Sequence, residues 1–94
     1  MLQAFAVFDI KTDSYSTPFF FPNKEVAMRS IGDIVNNEEN HQFYKYPSDF
    51  GLWYLGDFDS KSVEDPLIHF PRFFVCTLSD LKYKEDSKYK ESAE

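Results

Sequence analysis

The chain has 94 residues, 43 % of them hydrophobic and 19 % aromatic, with eleven Phe, six Tyr and one Trp. A chain of this length makes one domain that buries only about 60–65 % of its unfolded surface, so the rings must supply much of the core, and disorder throughout is excluded. The formal charge is −6, and the deficit lies in residues 1–81, where six basic side chains meet twelve acidic ones; such a body repels a phosphate backbone at long range and counts against nonspecific duplex binding.

Cys76 is the single cysteine. It excludes an internal disulfide framework, fits a reducing cytosol, and reads as a small buried hydrophobe because its neighbours are apolar. No run approaches the ~20 apolar residues of a membrane span, and the start shows no basic region followed by a long apolar stretch. The expectation is a cytoplasmic protein.

In chain order, Leu2 to Ile10 reads as a strand that is apolar on both faces. Phe5 and Val7 point one way, and Ala4, Ala6 and Phe8 the other, where the small alanines would let a helix approach closely. A polar turn leads to Pro18-Phe19-Phe20-Phe21-Pro22, an extended segment because each proline fixes its own φ and disfavours a helical residue before it. Alternation predicts Phe20 in the core, with Phe19 and Phe21 on the opposite side. Asn23 is a good N-cap, Glu25 suits the first turn, and Ala27, Ile31, Ile34 and Val35 recur at helical spacing, which predicts a helix over 24–37. Gly32 weakens that helix by about 1 kcal/mol relative to Ala.

A polar connection over 38–51 carries Phe43, Tyr44 and Tyr46; loops of this length are functional or packed by their own side chains. The clearest strand is 52–58, with Leu52, Tyr54 and Phe58 on one face and Trp53 and Leu55 on the other. A third strand falls within 67–78, and Pro71 marks it as an edge strand or a bulged one. The expected fold is therefore α+β: a three-stranded sheet in the order β-α-β-β with one helix on one face, as a single domain over 1–81. A mobile Lys/Tyr/Glu tail is expected over 82–94. One helix covers one face, so the second must be covered by loops, a ligand or another subunit, and a homodimer is the simplest of these.

No catalytic or metal pattern stands out, and the chain is expected to be neither an enzyme nor a cofactor protein. Asp57, Asp59, Glu64 and Asp65 form an acidic group, but counting from Asp57 the EF-hand positions for Gly and Glu hold Ser62 and Ile68, so a solvated turn is the better reading. His41, His69 and Cys76 lack metal-ligand spacing, and the three glycines Gly32, Gly51 and Gly56 are isolated, which excludes a phosphate loop. Aromatics interleaved with lysines carry more information: Phe43-Tyr44-Lys45-Tyr46, Lys82-Tyr83-Lys84 and Lys88-Tyr89-Lys90. Single-stranded nucleic acid is held by stacking on rings with cations close by. The competing reading is loop packing for the first and a solvated tail for the others, which the net charge favours.

From Pro18-Phe19-Phe20 the sequence resembles a small nonstructural protein of gokushoviruses, single-stranded DNA phages of the microvirus family. The similarity continues through Pro22, Ala27, Arg29, Asp33, Val35 and Asn36, then Tyr44-Lys45-x-Pro47-x-Asp49 and Leu52-x-x-Leu55-Gly56-x-Phe58-Asp59, and includes Phe5-Ala6-Val7-Phe8-Asp9. It implies a protein of the infected bacterial cytoplasm that assists genome replication or packaging and binds DNA, with phage or host replication and packaging proteins as partners. On that reading Phe19, Phe20, Tyr44 and Tyr46 stack bases of single-stranded DNA, while Arg29, Lys45, Lys82 and Lys84 contact phosphates. The alternative is an acidic adaptor that docks on a basic phage or host protein without touching DNA, by complementary potential.

Overall fold

The computed structural model describes residues 2–62, 64 and 67–83, with the backbone alone at 67–71. The described residues build a five-stranded antiparallel sheet rather than the expected three-stranded one. Numbered in chain order, the strands are β1 (Leu2–Asp9), β2 (Ser14–Tyr15), β3 (Phe19–Phe21), β4 (Phe50–Phe58) and β5 (Leu67–Thr77). β4 lies along one edge of β1, and β5 lies outside β4. β2 and β3 share the other edge of β1, opposite Phe8–Asp9 and Gln3–Phe5 respectively. The two extra strands are two and three residues long, too short to show a periodicity in sequence.

Between β2 and β3 the ladder breaks where Pro18 has no N–H to donate. Ser16 fills the gap: its N–H donates to the Val7 carbonyl at 2.7 Å and its Oγ accepts the Val7 N–H at 3.0 Å. A buried backbone group without a partner is costly, and this exchange leaves Val7 satisfied.

The helix α1 (Lys24–Asn37) has the expected bounds, and Asn23 Oδ1 accepts the Val26 N–H at 2.8 Å as its cap. It covers one sheet face, packing Ala27, Ile31 and Val35 onto Phe5, Val7, Phe50, Leu52 and Cys76, with Leu78 joining the same cluster. Each fully buried Leu, Val or Phe contributes about 1.5–3 kcal/mol, which readily offsets the ~1 kcal/mol that Gly32 costs the helix. The 38–51 connection is packed by its own residues: a single turn α2 (Gln42–Lys45) and a 3₁₀ turn (Pro47–Asp49) set Phe43 edge-on to Phe50 at 4.9 Å.

Two side-chain phases differ from the sequence reading. In β3 it is Phe19 and Phe21 that pack against the core, while Phe20 is 42 % exposed on the opposite face. β1 sets this phase, because Phe19 pairs with Phe5 and Phe20 with Ala4, and the Phe5 side is the one that takes the helix. In β4 the pairing steps from Phe5↔Tyr54 to Ala4↔Gly56, leaving Leu55 as an extra residue. This bulge reverses the alternation beyond it, so Phe58 shares a face with Trp53 and not with Leu52 and Tyr54. Gly56, at φ 154°, supplies the backbone conformation that the bulge needs. β5 is an edge strand, and its register is also irregular between Phe73 and His69, the stretch that holds Pro71.

After β5 a 3₁₀ turn (Leu78–Leu81), closed by a Thr77/Asp80 capping box, drops Leu78 into the core and carries the chain back to α1. Asn36 ties the two together. Its Nδ2 donates to the carbonyls of Gly32 (2.7 Å) and Leu81 (2.9 Å), and its Oδ1 accepts the Tyr83 N–H at 2.8 Å. The last turn of α1 holds no basic residue, and Lys82 Nζ supplies one from outside by donating to the Val35 carbonyl at 3.2 Å. Lys82 and Tyr83, the first two residues of the expected tail, are thus held on the helix; the rest of that segment lies outside the described residues.

Asn36→Ala removes the partners of the Leu81 carbonyl and the Tyr83 N–H, and should lower unfolding free energy by about 1–3 kcal/mol. The exposed neighbour should tolerate Asn37→Ala to within about 0.5 kcal/mol. Urea denaturation of the two variants separates these outcomes.

Candidate functional site

The residues singled out from sequence do not converge. Phe19 packs on the helix side, and Phe20 lies on the opposite face against Phe58, with ring centroids 5.5 Å apart. Arg29 is exposed on α1. Tyr44 is half-buried beneath Lys82, whose Nζ sits 3.9 Å from the ring centroid, so this lysine is engaged by the ring and the helix end together. Lys45 is exposed at the end of α2, and Tyr46 is exposed beside a groove that Asp9 and Asp49 also line. That groove's Lys11 is spent on Asp49 at 3.9 Å, a weak, largely exposed pair, so carboxylates temper any attraction for phosphate there. Lys84 lies outside the described residues.

What the fold does bring together is on the sheet face that α1 leaves uncovered. Phe8 and Tyr15 are register partners and meet edge-on at 4.9 Å. Tyr15 meets Trp53 edge-on at 6.4 Å, and Trp53 meets Phe74 at 5.4 Å. Arg72 spans two of these rings, with its guanidinium carbon 5.6 Å from the Tyr15 centroid and 5.0 Å from the Trp53 centroid, and its Nη1 donates to the Tyr15 hydroxyl. Phe20 and Phe58 form a second pair on this face, towards the Leu2 end of β1. Ala4 and Ala6 point to the same face and are fully buried there, beneath rings rather than beneath the helix that their small size led one to expect.

Gly51 makes this packing possible. A Cβ at that position would lie 3.1 Å from Phe74 Cε1 and 3.5 Å from Trp53 Nε1, tighter than ordinary contact on the Phe74 side. The bare backbone lets the Phe74 and Trp53 rings approach this position closely. The surface is a row of partly exposed aromatics crossed by one guanidinium, a combination suited to flat, electron-rich partners.

Sequence reading missed Tyr15, Trp53, Phe58, Arg72 and Phe74 as a group. The signal that could have found them is the second apolar face of the central strands, for which loops, a ligand and another subunit all remain open in the sequence. Arg72 was hidden because it interrupts an otherwise apolar run beside Pro71.

Burial, reinforced by Asp80 and opposed by Lys24, pushes the Cys76 thiol above its ordinary range. His41 Nδ1 accepts the Phe43 N–H at 3.0 Å as the cap of α2. Among the described residues, no three His, Cys, Asp or Glu side chains gather as metal ligands, and no helix is long and apolar enough to cross a membrane.

On the helix side, Tyr54 donates its hydroxyl to Asp57 Oδ1 at 2.6 Å. Desolvation, then the hydrogen bond and charge of Asp57, push the phenol up to about 12. A raised phenol favours the folded, protonated form, so its contribution is complete below the ordinary value near 10 and is lost as pH rises towards 12. Ultraviolet titration should show a tyrosine ionising at about 12, and Tyr54→Phe should remove that step.

Comparison with known families places the chain. The family model described as "Phage ORF5 protein" matches residues 2–81, from the first residue of β1 to the end of the turn that follows β5. No curated protein and no solved structure matches the chain. The match takes in every strand and helix described above, and the chain therefore belongs to the Phage ORF5 protein family and is a bacteriophage protein.

Proposed function

We propose that this protein binds single-stranded DNA on the helix-free face of its sheet, as a non-enzymatic accessory of genome replication or packaging in the cytoplasm of a host infected by a gokushovirus-like microvirus. The observation that carries the reading is the ring row Phe8–Tyr15–Trp53–Phe74 crossed by Arg72. Unpaired bases expose their faces and can stack on such rings, each stack contributing roughly 1–3 kcal/mol, whereas duplex bases are already stacked on one another. The role in phage DNA metabolism comes from the resemblance to gokushovirus proteins and agrees with membership of a phage family.

The charge shapes the expected behaviour. With a net charge of −6, long-range attraction to phosphate is absent, so affinity must come from stacking and from Arg72 at close range. Salt dependence should then be shallow, with a slope of about −0.7 for each phosphate contacted. Of the sites first read from sequence, Tyr44 is engaged by Lys82 and Tyr46 shares its groove with Asp9 and Asp49, so neither leads this picture.

The acidic body also favours a second reading, an adaptor that docks on a basic phage or host protein. The same apolar face could instead close a homodimer. Anisotropy titration with a fluorescent oligothymidine distinguishes these. Binding should be saturable and should weaken about tenfold in Trp53→Ala and in Arg72→Ala, with Tyr46→Ala unchanged. Absence of binding even at ~20 mM salt rejects direct recognition. In that case a stoichiometric protein partner that survives nuclease treatment supports the adaptor, and a dimer in velocity sedimentation supports self-association.

A further inference from the structure

Phe73 and Phe74 are consecutive residues on the edge strand β5, and the pleat sends them to opposite faces of the sheet. Both are well exposed, at 61 % and 53 %. Phe74 belongs to the ring row, edge-on to Trp53. Phe73 lies on the helix side, nearly parallel to Tyr54 with an interplanar angle of 24° and centroids 6.3 Å apart. Beside it opens a groove of about 480 Å³ lined by Gln3, Phe5, Lys24, Tyr54, Phe73, Phe74 and Val75. Phe74 therefore borders the groove as well as the ring row.

The groove has the chemistry of a nucleotide pocket. Its volume is in the range that holds a small ligand, and its lining is mixed, with the rings of Phe5, Tyr54, Phe73 and Phe74 beside the polar Gln3 and Lys24. Gln3 offers an amide that can donate to and accept from a base edge. Lys24 is the charged residue of the described lining and also the first residue of α1, where the helix dipole adds positive potential. The Tyr54 hydroxyl is already committed to Asp57, so the Tyr54 ring acts here as an apolar wall.

We propose that this groove is a second nucleotide site, in which Phe73 stacks one base of single-stranded DNA and Lys24 holds its phosphate while neighbouring bases lie on the ring row. The inference rests on the reading of the helix-free face as the DNA surface, and extends it across the β5 edge. A strand bound this way bends around that edge, so a dinucleotide occupies the ring row alone and a longer strand reaches the groove.

The test compares labelled dithymidine with an oligothymidine of about eight nucleotides, using Phe73→Ala, Phe73→Leu, Lys24→Gln and Trp53→Ala. Phe73 is largely exposed, so its variants should fold, and Phe73→Leu keeps the apolar contact with Tyr54 while removing the ring. Both Phe73 variants should bind the longer strand about tenfold more weakly and the dinucleotide as the native protein does. Lys24→Gln should flatten the salt slope for the longer strand by about 0.7. Native affinity of the Phe73 and Lys24 variants for the longer strand, with Trp53→Ala impaired, would overturn the groove and leave the ring row standing. Native affinity of Trp53→Ala for both strands would remove the ring row as the DNA surface, and with it the continuous path proposed here.

Discussion

β1 is paired along both edges and apolar on both faces, and among the described residues one long helix is at hand to cover them. Every other choice in the fold answers that shortage. The side carrying Phe5 and Val7 takes α1 and becomes a conventional core, closed by Phe50, Leu52, Cys76 and Leu78. The side carrying Ala4 and Ala6 takes no helix among the described residues, and the small residues there are buried between strands that carry large rings. Aromatic side chains suit this second role because they bury much area at modest entropic cost and still present a usable outer surface. The rings on this side of the sheet remain partly exposed.

The helix needs support of its own. Its interior holds Gly32 and its last turn lacks a basic residue, both of which weaken it. The segment after β5 compensates for both. Leu81 packs over Gly32, Asn36 bonds to the returning backbone, and Lys82 reaches the open carbonyl of Val35. Matched residues of the family resemblance that look unremarkable in sequence gain a reason here: Asn36 is a tie between the two ends of the domain, not a surface polar residue.

Much of the helical half was legible beforehand. Asn23, the periodicity of Ala27 to Val35 and the Asn-rich end gave α1 its bounds, because caps and a 3.6-residue repeat are local signals. Pro71 marked an edge strand for an equally local reason. The sheet was harder. β2 and β3 owe their strand form to pairing with β1 across the chain, so nothing within two or three residues could announce them. The phase of Phe20 depended on which face of β1 the helix would choose, a tertiary decision. The residues of the helix-free face were not grouped beforehand because clusters close in sequence, such as Tyr44-Lys45-Tyr46, are conspicuous, whereas Tyr15, Trp53, Arg72 and Phe74 meet only after β2, β1, β4 and β5 have paired.

The bulge at Leu55 has a consequence for how such a sequence can vary over time. It lets one strand serve the core at its Phe50 end and the ring-bearing face at its Phe58 end, by changing phase midway. Substitutions along β4 act on one side chain each. An insertion or deletion near Leu55 would instead exchange inside for outside along everything downstream, moving Phe58 to the helix side and Asp57 away from Tyr54. In related chains this strand should therefore keep its length more strictly than its composition.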